Sequence, residues 1–198
     1  MAQSNVWALT PTTNATYYRA AASIAGAGAL TLLQSNAGPN GVAYKVTITS
    51  AGDDSGDTFT IVGHKMGTDL GVATTEVVTG ANAGVATSTN YYDSITSITA
   101  SGASAGNVSI GVLGTSAALP RVRIKGLYYV GTASAGSVKV NLNSTTGRLY
   151  LQIDTPASAT VVNSVYIPED GIYVNGSTGT DFALITLTNV TYATIFCG

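Results

Sequence analysis

The sequence predicts an all-β protein: two small antiparallel β-sandwich or jelly-roll-like modules preceded by an extended N-terminal arm. Three observations carry that expectation. Apolar and polar residues alternate with period two in segment after segment, and these segments are rich in Val, Ile, Thr and Tyr. Gly, Asn, Asp and Ser interrupt them at short intervals, which is the turn spacing of sandwiches and barrels. No long segment carries the apolar rhythm of an amphipathic helix.

Residues 1–28 read as the arm, in which Ala20, Ala21 and Ala22 begin a short helical run that Gly26 and Gly28 stop. The first module spans 29–114. Its first strong strand is Val42 to Thr49, and the loop AGDDSGD, Ala51 to Asp57, turns it into Phe59-Thr60-Ile61-Val62. Val72 to Thr79, Val85 to Thr89, Tyr91 to Ala100 and Val108 to Val112 follow. Small residues ending in Pro120 make 115–120 a linker. The second module, 121–198, opens with Arg121 to Lys125, which alternates charged and apolar residues, and continues through Leu127 to Val130. Val138 to Leu142, Leu149 to Ile153 and Val161 to Ile167 come next. Pro168-Glu169-Asp170-Gly171 is a turn, with Pro fixing φ and Gly supplying positive φ. Ile172 to Val174, Phe182 to Leu187 and Tyr192 to Phe196 complete the set.

One pattern occurs twice. Ala103-Ser104-Ala105-Gly106 and, thirty residues later, Ala133-Ser134-Ala135-Gly136 each lead from one strand into another that begins with Val. They read as two related hairpin turns, one per module, with glycine at a positive-φ position.

Composition narrows the function. Only 9% of the 198 residues are charged, against about 25% in an ordinary soluble domain, while 45% are hydrophobic. A disordered chain has the opposite balance. The surface is therefore built from Thr, Ser, Asn, Gly and Ala, and such a surface is poorly protected against association. The expectation is that other protein molecules cover much of it. A net charge of −2 with 8 basic residues provides no footprint for nucleic acid. Ala20 to Leu33 is too short and too weakly apolar to span a membrane, and the N-terminus has no secretory signal pattern. Cys197 is the single cysteine, so neither an internal disulfide nor a cysteine zinc site is expected.

Two stretches resemble a known class. Thr49 to Asp69, TSAGDDSGDTFTIVGHKMGTD, with Thr75 to Gly111, is similar to a module of structural proteins from tailed bacteriophages, especially aquatic ones. Val122 to Gly198, with GLYYVGTASAGSVKV and VYIPEDGIYVNG, is similar to a second small β-module of the same kind of protein. The resemblance implies a non-enzymatic virion protein, a capsid decoration or cement protein, made in the host cytoplasm and carried on the capsid surface. It implies the major capsid protein as partner, self-association with a homotrimer favoured, and no cofactor. A tail or head–tail connector component and a virion-surface carbohydrate-binding module stand as alternatives.

The candidate residues follow from chemistry. Trp7, Leu9, Tyr17 and Tyr18 are apolar anchors on the arm, suited to an inter-subunit strap. Arg121, Arg123 and Lys125 share one face of a strand, either facing solvent or meeting an acidic patch on a partner. Asp53, Asp54 and Asp57 crowd one loop; they are weak metal candidates, because the loop lacks the longer ladder of calcium sites, and otherwise cap local backbone N–H groups. His64, the only histidine, reads as a turn residue. In the adjacent pairs Tyr91-Tyr92 and Tyr128-Tyr129 one ring points inward and one outward, and outward tyrosines suit interfaces or sugars.

Overall fold

The computed structural model describes residues 5–9, 13–34, 38, 42–68, 72–120, 122–158, 162–167, 170–174 and 181–198. All regular structure among them is antiparallel β, with no helix. The chain forms two compact units: a middle unit, Thr13–Leu113, and a terminal unit built from Met1–Thr12 and Gly114–Gly198. The chain therefore passes between units twice.

The middle unit holds β2 (Asn14–Ala22), β3 (Gly28–Ala29), β4 (Ala43–Ser50), β5 (Thr58–Lys65), β6 (Thr74–Thr79), β7 (Val85–Ala100) and the first part of β8 (Val108–Leu119). Its strand order is β8-β4-β7-β5-β6, with β2 on β8 and β3 on β7. The sixteen-residue β7 serves two neighbours: 85–92 pairs with β4 and 92–100 with β5. Inward residues at alternate positions, among them Val46, Ile48, Phe59, Ile61, Tyr92, Ile95, Ile98 and Ile110, make the core.

The terminal unit begins with β1 (Asn5–Leu9) and continues with the rest of β8, then β9 (Val122–Gly131), β10 (Gly136–Leu142), β11 (Leu149–Thr155), β12 (Val162–Tyr166), β13 (Ile172–Val174), β14 (Ala183–Thr188) and β15 (Val190–Cys197). One sheet runs β1-β15-β9-β12, with β13 also on β9; β11, β10, β14 and β8 form the second row. The arrangement is sandwich-like, with Ile124, Leu127, Tyr129 and Ile195 buried from one sheet and Val138, Val140 and Ile185 from the other.

Three expectations change. Within the expected arm, Asn5–Leu9 and Asn14–Ala22 are sheet strands: β1 pairs with β15 from Asn5↔Cys197 to Leu9↔Ala193, and β2 pairs with β8. Ala20, Ala21 and Ala22 end β2 instead of starting a helix, because their backbone finds β8 as a partner. Most of the proposed linker is strand: Ser116–Leu119 of β8 pairs with Thr186–Ala183 of β14. Alanine is a weak strand former alone, but Ala117 and Ala118 are buried here, and packing overrides propensity.

The repeat acquires a physical meaning. In the first copy, Ser104 Oγ donates to Gly106 O at 2.6 Å and accepts from Ile24 N at 2.8 Å. In the second, Asn189 Nδ2 donates to Ala135 O at 2.8 Å. Neither glycine takes the positive φ that was expected. What they provide is room: a Cβ on Gly106 would meet the backbone of Ala51 and Gly52, and one on Gly136 the backbone of Thr188 and Asn189. Gly171 does take positive φ, at 74°.

Candidate binding surfaces

The anchors expected on the arm lie in the two units. Leu9 is 1% exposed and Trp7 half-buried on the same side of the sheet as its partner Ile195. Tyr18 is also 1% exposed, and Tyr17 meets its ring edge-on at 4.9 Å. Burial, then the neighbouring Tyr17 and Asp93, raises the Tyr18 hydroxyl pKa well above the ordinary phenol value. Leu9 and Tyr18 are thus core residues and cannot serve as a detachable strap. Alternation in β1 and β2 was the available signal, but the short β1 has no local partner that would have revealed its pairing.

Of the basic strand residues, Arg121 lies outside the described residues. Arg123 is exposed, pairs with Asp170 at 3.6 Å and stacks over Tyr173 at 5.8 Å. Lys125 is half-buried.

The three aspartates diverge. Asp53 Oδ1 accepts from the N–H and Oγ of Ser55, which hold its carboxyl below the usual range. Asp54 is fully buried and its Oδ1 accepts from Ala105 N at 2.7 Å, tying its loop to the first repeat copy. Asp57 Oδ1 accepts from Ser101 Oγ at 3.1 Å. Among the described residues no three His, Cys, Asp or Glu side chains converge as metal ligands.

His64 has a partner that sequence reading missed. It stands in β5 opposite Ser94 of β7, and its Nδ1 lies 2.8 Å from Asp93 Oδ2. An ionised carboxylate only accepts, so Nδ1 carries the proton. Ser94 Oγ donates to the same carboxylate at 3.2 Å. The hydroxyl leans on the acid, whereas nucleophilic catalysis needs it on the imidazole. The trio locks β5 to β7.

Glu76 makes the second such lock. From β6 it accepts hydrogen bonds from Thr89 N at 2.5 Å, Asn90 N at 3.2 Å, Asn90 Nδ2 at 2.8 Å and Tyr92 Oη at 3.0 Å. Burial alone would raise its pKa; the four donors outweigh it and hold the carboxyl below its ordinary value. With Glu76 turned in, the outward residues Thr75, Val77 and Thr79 of β6 carry no charge, nor do the exposed Val85, Thr87 and Thr89 of β7. Val77 is 60% exposed.

The sheet containing β9 in the terminal unit has an outward aromatic face. Val6, Phe196, Gly126 and Tyr166 are consecutive cross-strand neighbours on β1, β15, β9 and β12. A β-bulge separates Phe196↔Gly126 from Cys197↔Ile124. A cleft of about 340 Å³ opens over Gly126, walled by Phe196 and Tyr166 and rimmed by Lys125 and Ser164. Tyr128 and Tyr192 meet edge-on nearby on β9 and β15, at 6.2 Å.

No family model matches this chain, and no curated protein or solved structure is significantly similar to it.

Proposed function

We propose that this chain is a non-enzymatic structural protein of a tailed-phage virion, a capsid decoration or cement protein that binds the assembled shell of major capsid protein. The observation that carries the reading is the uncharged outer surface of β6 and β7. β6 ends the strand order of the middle unit among the described residues, and an end strand normally carries Lys or a similar guard against association. Here it offers Thr75, Val77 and Thr79. Its one charge, Glu76, is turned inward, so the outer face carries none, and such a face suits a protein whose working state covers it. The mechanism is mass action: a protein that binds only the assembled lattice stabilises that lattice. A symmetric oligomer, a homotrimer being favoured, would match the repeated geometry of a shell.

The test is the copy number of this chain in purified particles, measured by quantitative mass spectrometry against the major capsid protein. A near-stoichiometric ratio supports shell decoration. A few copies per hundred capsid subunits overturns it in favour of a tail or head–tail connector component. Absence removes the virion reading. In a binding assay on particles stripped of the chain, Val77→Lys should reduce recovery at least about tenfold.

A further inference from the structure

We propose that β12 is a self-pairing edge: it adds antiparallel to the β12 of a second copy, across a two-fold axis at Ser164, so that one sheet runs through both chains. The inference deepens the self-association in the reading above by giving it a surface and a symmetry. It uses a different unit from the β6–β7 face.

β12 ends its sheet, and among the described residues β9 is its only strand partner. All five residues of Val162–Tyr166 are exposed or half-buried. None is charged and none is proline, and the pairing with β9 has no bulge. Charged residues, proline and bulges are the usual guards against edge-to-edge pairing, and this strand carries none of them.

Two hydrogen bonds fix which backbone groups face outward. Ile167 N donates to Lys125 O at 3.0 Å. That turns Ile167, and by alternation Val165 and Asn163, toward β9. Val162, Ser164 and Tyr166 therefore turn their N–H and C=O groups away from β9. In agreement, Ser164 N donates to Asn163 Oδ1 at 2.9 Å and not to β9. This exposed side-chain acceptor is replaced by a strand carbonyl on pairing.

The symmetry of the outward set selects a second copy as the occupant. The antiparallel register with full overlap sets Val162 against Tyr166 of the copy, Ser164 against Ser164, and Tyr166 against Val162. Three such pairs, each exchanging two hydrogen bonds, give about six. Val162 is 57% exposed and Tyr166 78%. Pairing lays each on the other, and an aromatic ring opposite a β-branched side chain is a favourable cross-strand pair. On the other face Asn163 meets Val165 of the copy, so no like charges are opposed. Two tyrosines at about 150–250 Å² each, with two valines, cover less than the about 1,200 Å² of a stable complex. The contact is therefore weak, with a dissociation constant of roughly 10 µM to 1 mM. A two-fold contact joins copies in pairs; if the chain is a trimer, it links one trimer to the next.

The test is sedimentation equilibrium of the full chain from about 1 µM to about 1 mM. The expected result is a reversible doubling of the mass of the smallest species. Ser164→Pro removes an outward N–H and leaves the bonds to β9 in place; it should weaken the doubling at least about tenfold. Tyr166→Lys, at a site already in solvent, is the second variant and should do the same with an unchanged circular dichroism spectrum. Val77→Lys should leave the doubling unaltered while it lowers recovery on particles, so failure of this pairing and failure of the shell-binding reading are separate results. A nitroxide on Ser164→Cys, with Cys197 buried, should show dipolar broadening in the doubled species, because the two sites lie about 5.5 Å apart at Cα. Absence of doubling, doubling indifferent to Ser164→Pro and Tyr166→Lys, or doubling without broadening overturns the proposal. A trimer that these two variants dissolve also overturns it, since a two-fold edge cannot close a ring of three.

Discussion

At the scale of single residues, the buried polar groups decide what can be tested. The Tyr18 hydroxyl is buried with no hydrogen-bond partner, and such a group costs about 1–3 kcal/mol. Tyr18→Phe should therefore raise the melting temperature of the middle unit; a fall in calorimetry would contradict this. Glu76 makes the opposite case. Its folded pKa lies below the unfolded one, so its contribution to stability is present above the unfolded value and is lost as pH falls through the folded value. Thermal melts from pH 7 down to about pH 3 should show a steeper loss below about pH 4.3 in the wild type than in Glu76→Gln, which has no charge to lose. Parallel curves would exclude this role. Cys197, whose thiol burial pushes up to about 12, should resist maleimide at pH 8 in the native protein and react once the chain is unfolded.

At the scale of elements, most strands from Ala43 onward were legible, because period-two alternation is a local property. Val42 to Thr49 became Ala43–Ser50, and Ile172 to Val174 kept both ends. Where strands join across long distances, local pattern says little. The pairing of β1 with β15 depends on residues nearly the whole chain apart, and Ala117-Ala118 lacks the β-branched residues that advertise a strand. The aromatic cleft was hidden for the same reason: Phe196, Gly126 and Tyr166 become neighbours only through two strand pairings and a bulge. The outward tyrosine was foreseeable; the empty place beside it was not. β1 should behave as structure rather than tether. Leu9→Ala should cost about 3 kcal/mol and lower the melting temperature by roughly 6–12 °C, whereas Val6→Ser, at an exposed site, should change it little. If removing residues 1–12 leaves the melting temperature unaltered, β1 is not part of that sheet's stability.

At the scale of the whole molecule, a chain with 9% charged residues has little to screen. Its attachment to a partner surface should vary by no more than about twofold between low and high salt, since ionic strength weakens mainly charge–charge contacts; a steep salt dependence in a sedimentation assay would point to Arg123 and Lys125 as the principal contacts. The double passage between units also bears on time. β1 is made before every other described strand, and β15, its partner, after all of them. At about 5–20 residues per second, Trp7 and Leu9 wait roughly ten to forty seconds for that partner, while the middle unit can already fold behind them. During each round of synthesis the nascent chain therefore carries an apolar strand without its sheet, and a chaperone that holds short extended segments would find its substrate in that interval.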